Sequence, residues 1–220
     1  MVMSVGRKDA PLTDYAQIER KYFQNKMLRV PGIKLMLDGV IESHTAAMLE
    51  PYSDDPNLSG EPNWSAEDFN DVVLRADRLG LQIWTHAIGD RAVRMALDAY
   101  ENATRRNAGR YHLVRKDRRY RIEHIETIHP TDVPRFAKLG VLPVMQPIHA
   151  DPGTVEVWSK AVGPERLKLA FPWRAFERSG ARLVFSSDWP ACISVNPIRG
   201  IHNAVNRRTI DGKPAGGWTP

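Results

Sequence analysis

Thr85-His86-Ala87-Ile88-Gly89-Asp90-Arg91, Arg121-Ile122-Glu123-His124-Ile125 and Val184-Phe185-Ser186-Ser187-Asp188-Trp189-Pro190 each end a short apolar run on a side chain able to bind a metal. The three endings are His86, His124 and Asp188, and segments of helical periodicity separate them. In parallel α/β architectures chemistry gathers at the carboxyl ends of the strands, where the following loops meet. One such ending carries little information; three in order describe one face of a barrel that binds metal.

The rest of the chain supports this layout. Ile33–Leu37, Leu81–Thr85, Tyr120–Glu123, Leu142–Met145 and Arg182–Ser186 are short, apolar and bounded by turn residues, and are predicted strands. Ser65 with Asp68 three residues on forms a capping signal. Val72, Val73, Ala76 and Leu79 then line one helical face, and Gly80 stops the helix. The pattern repeats from Arg91 to Thr104 through Val93, Ala96, Leu97 and Tyr100. It repeats again from Thr131 through Val133, Phe136 and Leu139 to Gly140. Strands alternating with helices predict a parallel sheet with helices packed outside it. A closed barrel needs about eight strands and roughly 250 residues. Five expected strands in 220 residues fall short of that.

Composition excludes several classes. With 42% hydrophobic and 26% charged residues the chain can bury a core, and one domain is expected. The net charge of +5 is partly local: Arg105, Arg106, Arg110, Arg115, Lys116, Arg118 and Arg119 cluster together. No aromatic platform or nucleic-acid motif accompanies them, so a solvated loop is expected rather than a nucleic-acid surface. Cys192 is the only cysteine, which rules out an intrachain disulfide or a cysteine-rich zinc knuckle. No apolar run is long enough for a membrane span, and the first residues lack a signal-peptide core. A cytoplasmic protein without membrane attachment is the expectation.

Ile33-Lys34-Leu35-Met36-Leu37-Asp38-Gly39, followed by Thr45-Ala46 and Glu50-Pro51-Tyr52, resembles the middle of the amidohydrolase superfamily. The resemblance is to the amidohydrolase-3 branch, which includes N-substituted formamide deformylase-like metal-dependent hydrolases. His86-Ala87-Ile88-Gly89-Asp90-Arg91-Ala92, Arg121-Ile122-Glu123-His124, Met145-Gln146-Pro147 and Ser187-Asp188-Trp189-Pro190 match it in order and spacing. The tail, Val205-Asn206-Arg207-Arg208-Thr209 and then Gly216-Gly217-Trp218, matches as well. The similarity begins near Gly32 and covers nearly all of the chain beyond it.

The resemblance implies an α/β fold: a partial (β/α)8 TIM-type barrel containing about strands four to eight. It implies a small-molecule substrate whose C–N bond, in an amide or cyclic amide, is hydrolysed by metal-activated water. One or two divalent metals, usually zinc, would be held by His86, His124 and Asp188. Lys34 matches a lysine that some relatives carbamylate into a bridging ligand. Asp188 would also carry the catalytic proton. Neutral imidazoles and a carboxylate suit zinc.

Other residues keep two readings. Lys34, in a buried strand, is either a ligand or the partner of Asp38 or Glu123 in an ion pair. Asp90 and Arg91 either start a helix or touch substrate. Gln146 and His149, after the fourth expected strand, reach substrate or stand behind the ligands. His44, His112, His129 and His202 are expected to be packing or surface residues. Ser43, Ser186 and Ser187 lack the Gly-x-Ser-x-Gly elbow of a serine nucleophile.

One family feature is missing. Relatives take their first two ligands from a His-x-His pair on strand one, and the seven histidines here include no pair one residue apart. The expectation is therefore that residues 1–220 form an incomplete barrel domain lacking strands one to three upstream. Either it belongs to a truncated hydrolase, or it is a non-catalytic half-barrel or a subunit completed by another chain. An open barrel exposes edges and core, so a homo-oligomer or a completing chain is the expected partner.

Overall fold

The computed structural model describes residues 2–109, 118–153, 155–192 and 194–218. Strands and helices alternate along the chain. They are β1 (Met3–Val5), α1 (Leu12–Tyr22), β2 (Gly32–Met36), α2 (Ala66–Arg78), β3 (Gln82–Ala87), α3 (Asp90–Arg106), β4 (Arg121–His124), α4 (Val133–Leu139), β5 (Leu142–Met145), α5 (Val155–Leu167), α6 (Trp173–Ser179), β6 (Val184–Phe185) and α7 (Pro197–Asn206). The strands form one parallel sheet in the order β1-β2-β3-β4-β5-β6, each pairing with its neighbour in sequence. This is the α/β architecture expected of a partial barrel.

All five expected strands are present, and β1 is a sixth, with Met3 opposite Ile33. Three residues are too few to show a period, which is why β1 escaped the sequence reading. The last expected strand shortens to Val184–Phe185 at the sheet edge. The three expected helices also form. Ser65 accepts a hydrogen bond from the Asp68 N–H at the start of α2. Gly140, in the left-handed conformation, ends α4. Helices α1, α5, α6 and α7 were not expected. Helix α5 hides its period behind a break at Gly163-Pro164. Helix α6 is only seven residues long.

Side chains alternate across the sheet with the period of two that a pleated strand imposes. Ile33, Leu35, Ile83, Thr85, Ala87, Ile122 and Met145 point to the helical layer and are fully buried. They meet Phe69, Val72, Val73 and Ala76 of α2, Ala96, Leu97 and Tyr100 of α3, Phe136 of α4 and Phe176 of α6. Burying each such aliphatic or aromatic side chain contributes roughly 1.5–3 kcal/mol.

The register puts Lys34 opposite Trp84, and Trp84 opposite Arg121, on the other face. Met36, His86, Glu123, Val144 and Val184 continue that face. It mixes charge with apolar surface, and Met36 is 42% and Val184 38% exposed. The Arg121 guanidinium lies 3.4 Å over the Trp84 ring and pairs with Glu123 at 2.5 Å. This polar face is the lining of the open barrel.

One buried carboxylate fixes the strand ends. Asp38, just beyond β2, accepts the N–H groups of Ala47 (3.0 Å), Ile88 (3.0 Å) and Gly89 (2.8 Å). The Ala47 carbonyl then accepts the N–H groups of Arg91 and Ala92, in the first turn of α3. Gly89 lies so close to this loop that a Cβ there would fall 2.1 Å from the Ala47 oxygen.

In the basic stretch, Arg118 has a structural role. Arg118 pairs with the buried Asp77 at 2.8 Å, and the Tyr120 hydroxyl donates to the same carboxylate. Arg110, His112, Arg115 and Lys116 lie outside the described residues. Among the described residues no helix is long and apolar enough to cross a membrane.

Two substitutions probe the Asp38 junction. Asp38→Asn must turn an amide NH2 toward one of the three N–H donors. It is expected to lower stability by about 1–3 kcal/mol, read as a lower urea midpoint with an unchanged slope. Gly89→Ala forces the loop from Ala47 outward and is expected to cost a similar ~1–3 kcal/mol in the same experiment.

Candidate metal centre

The carboxyl ends of β3, β4, β5 and β6 converge on His86, His124, His149 and Asp188. His86 and His124 are the near-terminal and terminal side chains of their strands. His149 lies in the 3-10 turn Pro147–Ala150 that follows β5. Asp188 follows β6. One ligand atom each of His124, His149 and Asp188 lies within 4.8 Å of the others. The His124 and His149 rings stack at 5.3 Å, and His86 packs edge-on against His124 at 4.4 Å.

The backbone bends where these ligands stand. His124 has φ 76° and Ile125 φ 50°, so β4 ends in the left-handed region, and Asp188 has φ 55°. Side chains other than glycine rarely adopt this conformation, which costs of order 1–3 kcal/mol per residue. Two of the three clustered donors therefore sit on strained backbone, the kind of local cost that concentrates at functional sites.

The electrostatics suit a cation. Burial, followed by neighbouring His86, His149 and Lys34, pulls His124 well below the ordinary imidazole range, so its ring is neutral. Its Nδ1 is buried without a hydrogen-bond partner. A neutral imidazole with an unpartnered ring nitrogen in a dry position fits a metal ligand.

Burial also lowers His86. Its Nε2 lies 3.0 Å from the Gly39 carbonyl oxygen and 3.6 Å from Asp38. A carbonyl only accepts, so this nitrogen carries the proton and Nδ1 keeps the lone pair. Asp38 itself is pushed up to about 7 by burial, against the pull of its three N–H donors.

His149 behaves differently. Burial opposes its charge, but hydrogen bonds to Asp188, Cys192 and Glu126 prevail and raise it to about 12. Its Nε2 is 3.5 Å from Asp188 and its Nδ1 is 3.0 Å from Glu126. These contacts hold the ring between two carboxylates. The same contact holds the half-buried Asp188 below the usual carboxylate range.

The remaining candidates are more dispersed. Lys34 projects from β2 into the field of Glu123 and Asp188, and burial lowers it. Its alternative partners are otherwise engaged: Asp38 with backbone N–H groups, Glu123 with Arg121. Gln146 donates to the Ser186 hydroxyl at 2.8 Å and lies 3.5 Å from Glu123, on the site wall. Asp90 begins α3 and accepts the Leu49 N–H at 2.8 Å. Arg91 pairs with Glu61 at the surface. Asp90 and Arg91 thus serve the loop before α3 and lie outside the clustered donors.

His44 pairs with Asp54 and packs on Tyr52, and His129 caps the turn Pro130–Asp132. His202 faces the Thr209 carbonyl. Two residues of the site were not anticipated. Asp38 was considered only as a partner for Lys34. For Glu126 the available signal in the sequence was a carboxylate two residues past a candidate ligand and next to Ile125.

Known proteins point the same way. The amidohydrolase family profile matches residues 4–219. Protein LONG AFTER FAR-RED 3 of Arabidopsis thaliana is 34% identical over 197 residues, covering 89% of this chain and 32% of that protein. N-substituted formamide deformylase of Arthrobacter pascens is 31% identical over 197 residues, covering 87% of this chain and 33% of that protein. The crystal structure of an uncharacterized metal-dependent hydrolase from Pyrococcus furiosus superimposes with a TM-score of 0.72 at 31% identity. It covers 92% of this chain and 41% of that one. The chain thus spans about a third of the length of the curated relatives it matches. Strand-end donors, parallel sheet and family match agree: the chain belongs to the amidohydrolase family, in its amidohydrolase-3 branch.

Proposed function

We propose that this site takes part in hydrolysing the C–N bond of a small amide or cyclic amide, with a divalent cation, zinc by the chemistry of its donors, held by His86, His124 and Asp188. The observation that carries this reading is the cluster of His124, His149 and Asp188, with His86 packed edge-on against His124 but outside that cluster, and with a buried, unpartnered His124 nitrogen among the donors. When bound, such a cation lowers the pKa of water toward neutrality and polarises a carbonyl.

The protein's own groups divide the remaining work. Asp188, a carboxylate just beyond β6, accepts a proton from the attacking water and returns it to the departing nitrogen. Gln146, on the site wall, orients the substrate. Lys34, with its amine deprotonated more readily by burial, would join the ligands after carbamylation. A cytoplasmic setting suits a chain whose single cysteine is free.

A second reading draws on the exposed sheet lining and edge. Val184 and Phe185 at the edge, and Ile198, Ile201 and Val205 along α7, are between 38% and 74% exposed. Apolar surface of this kind marks an interface. We therefore propose that the chain works with a second copy or a completing chain, and that the isolated chain binds metal weakly because its ligand set is short.

Metal analysis of the purified chain tests the first reading. His86→Ala and His124→Ala are both expected to retain less zinc than the parent after identical dialysis. Equal content in His86→Ala and the parent would remove His86 from the ligand set. Sedimentation tests the second: the parent is expected to self-associate and Phe185→Asp to shift it toward monomer. A parent that is monomeric at all concentrations argues against self-association.

A further inference from the structure

Glu126 is 4% exposed and has donors on both sides. Its Oε1 lies 3.0 Å from His149 Nδ1, and its Oε2 accepts the Trp158 indole N–H at 2.9 Å. Its backbone is tied as well, since the Glu126 carbonyl accepts the Phe171 N–H at 3.0 Å. The indole is itself buried and packs on Phe171 and Trp218. The carboxylate is therefore held from one side by a group that can only donate, and presents its other oxygen to His149.

A carboxylate in this position selects a tautomer. It accepts only, so His149 Nδ1 must keep its proton, and Nε2 is the nitrogen that can give up its own. That nitrogen faces Asp188 at 3.5 Å, inside the group formed with His124. We propose that Glu126 is a positioning residue that holds His149 with Nδ1–H toward its own carboxylate, making His149 Nε2 a donor to the cation shared with His124 and Asp188. The proposal rests on the metal-site reading above and adds two residues to it. Carboxylates behind ligating histidines fix ring orientation and raise ligand basicity, and their loss weakens metal binding about 10–100-fold.

Glutamine in place of Glu126 makes the point testable. It offers one oxygen and one NH2 to two neighbours that both need an acceptor. If the indole takes the oxygen, the NH2 faces His149 Nδ1 and favours the opposite tautomer, with Nε2 protonated. Removing the indole donor frees the glutamine oxygen to turn back to His149.

The test is Co2+ titration of the parent chain, Glu126→Gln and Glu126→Gln/Trp158→Phe, followed by visible absorption of the bound ion. Far-ultraviolet dichroism is recorded for each. Glu126→Gln is expected to bind Co2+ about 10–100-fold more weakly with an unchanged dichroism spectrum. The double variant is expected to recover most of that loss, which a purely structural role for Glu126 does not allow, because a second core substitution would then only add damage. Unchanged binding in Glu126→Gln, or a double variant weaker than the single, overturns the proposal while leaving the metal site standing. A parent chain that takes up no Co2+ overturns the metal site and the proposal together. Should Glu126→Gln fail to fold, nitrogen NMR of the zinc-loaded parent decides: a protonated Nδ1 on His149 supports the proposal, and a protonated Nε2 overturns it.

Discussion

The Asp38 carboxylate is the joint on which the site is assembled. A parallel sheet brings strand ends to one level but does not fix the loops that leave them. Asp38 does this by taking N–H groups from two separate segments, Ala47 on one side and Ile88 and Gly89 on the other. Burying a carboxylate is costly unless its oxygens are satisfied, and three N–H donors offset that cost. His86 lies between the two segments, two residues before Ile88, and its Nε2 reaches both the Gly39 carbonyl and Asp38. The orientation of one candidate ligand is thus inherited from a residue that need not touch the metal.

The second constraint is conformational. His124, Ile125 and Asp188 occupy left-handed backbone that a non-glycine residue adopts only under compulsion. For β4 the compulsion is visible. The Ile125 N–H is held by the Ala87 carbonyl at 3.1 Å, the Thr127 N–H by Ile88, and the Ile125 side chain is fully buried. The strand is thereby bent after Glu123, and the bend puts His124 and Glu126 around the same space. Strain at the ligand and the placement of its supporting carboxylate come from one turn.

The framework was legible in the sequence because it rests on local periodicity. The strands around Leu35, Ile83 and Ile122 are short apolar runs bounded by turn residues, and Ser65 and Gly140 mark helix ends through their own backbone chemistry. His86, His124 and Asp188 stood out because each ends an apolar run. What was not legible depends on long-range pairing. Glu126 gains its meaning from Trp158 and His149, which are 32 and 23 residues away. His149 was readable as near the site, but its place beside Asp188 follows from how the turn after β5 meets the loop after β6. Helix α7 was missed for a different reason. Its stripe of Ile198, Ile201 and Val205 faces outward, while its buried residue is the polar Asn203.

That inverted helix and the mixed sheet lining point to the same physical situation. A sheet face that held only solvent-exposed polar residues would be stable alone, and one that held only apolar residues would collapse on itself or aggregate. The face here does neither: Arg121, Trp84 and Glu123 form a stacked and paired cluster at its centre, while Met36 and Val184 stay exposed around it. A charged cluster of this kind is worth more as the surroundings become drier, since a lower dielectric strengthens both the ion pair and the cation–π contact. Covering the lining with further protein would strengthen the Arg121–Glu123 pair and the Arg121–Trp84 contact against the cost of desolvating them.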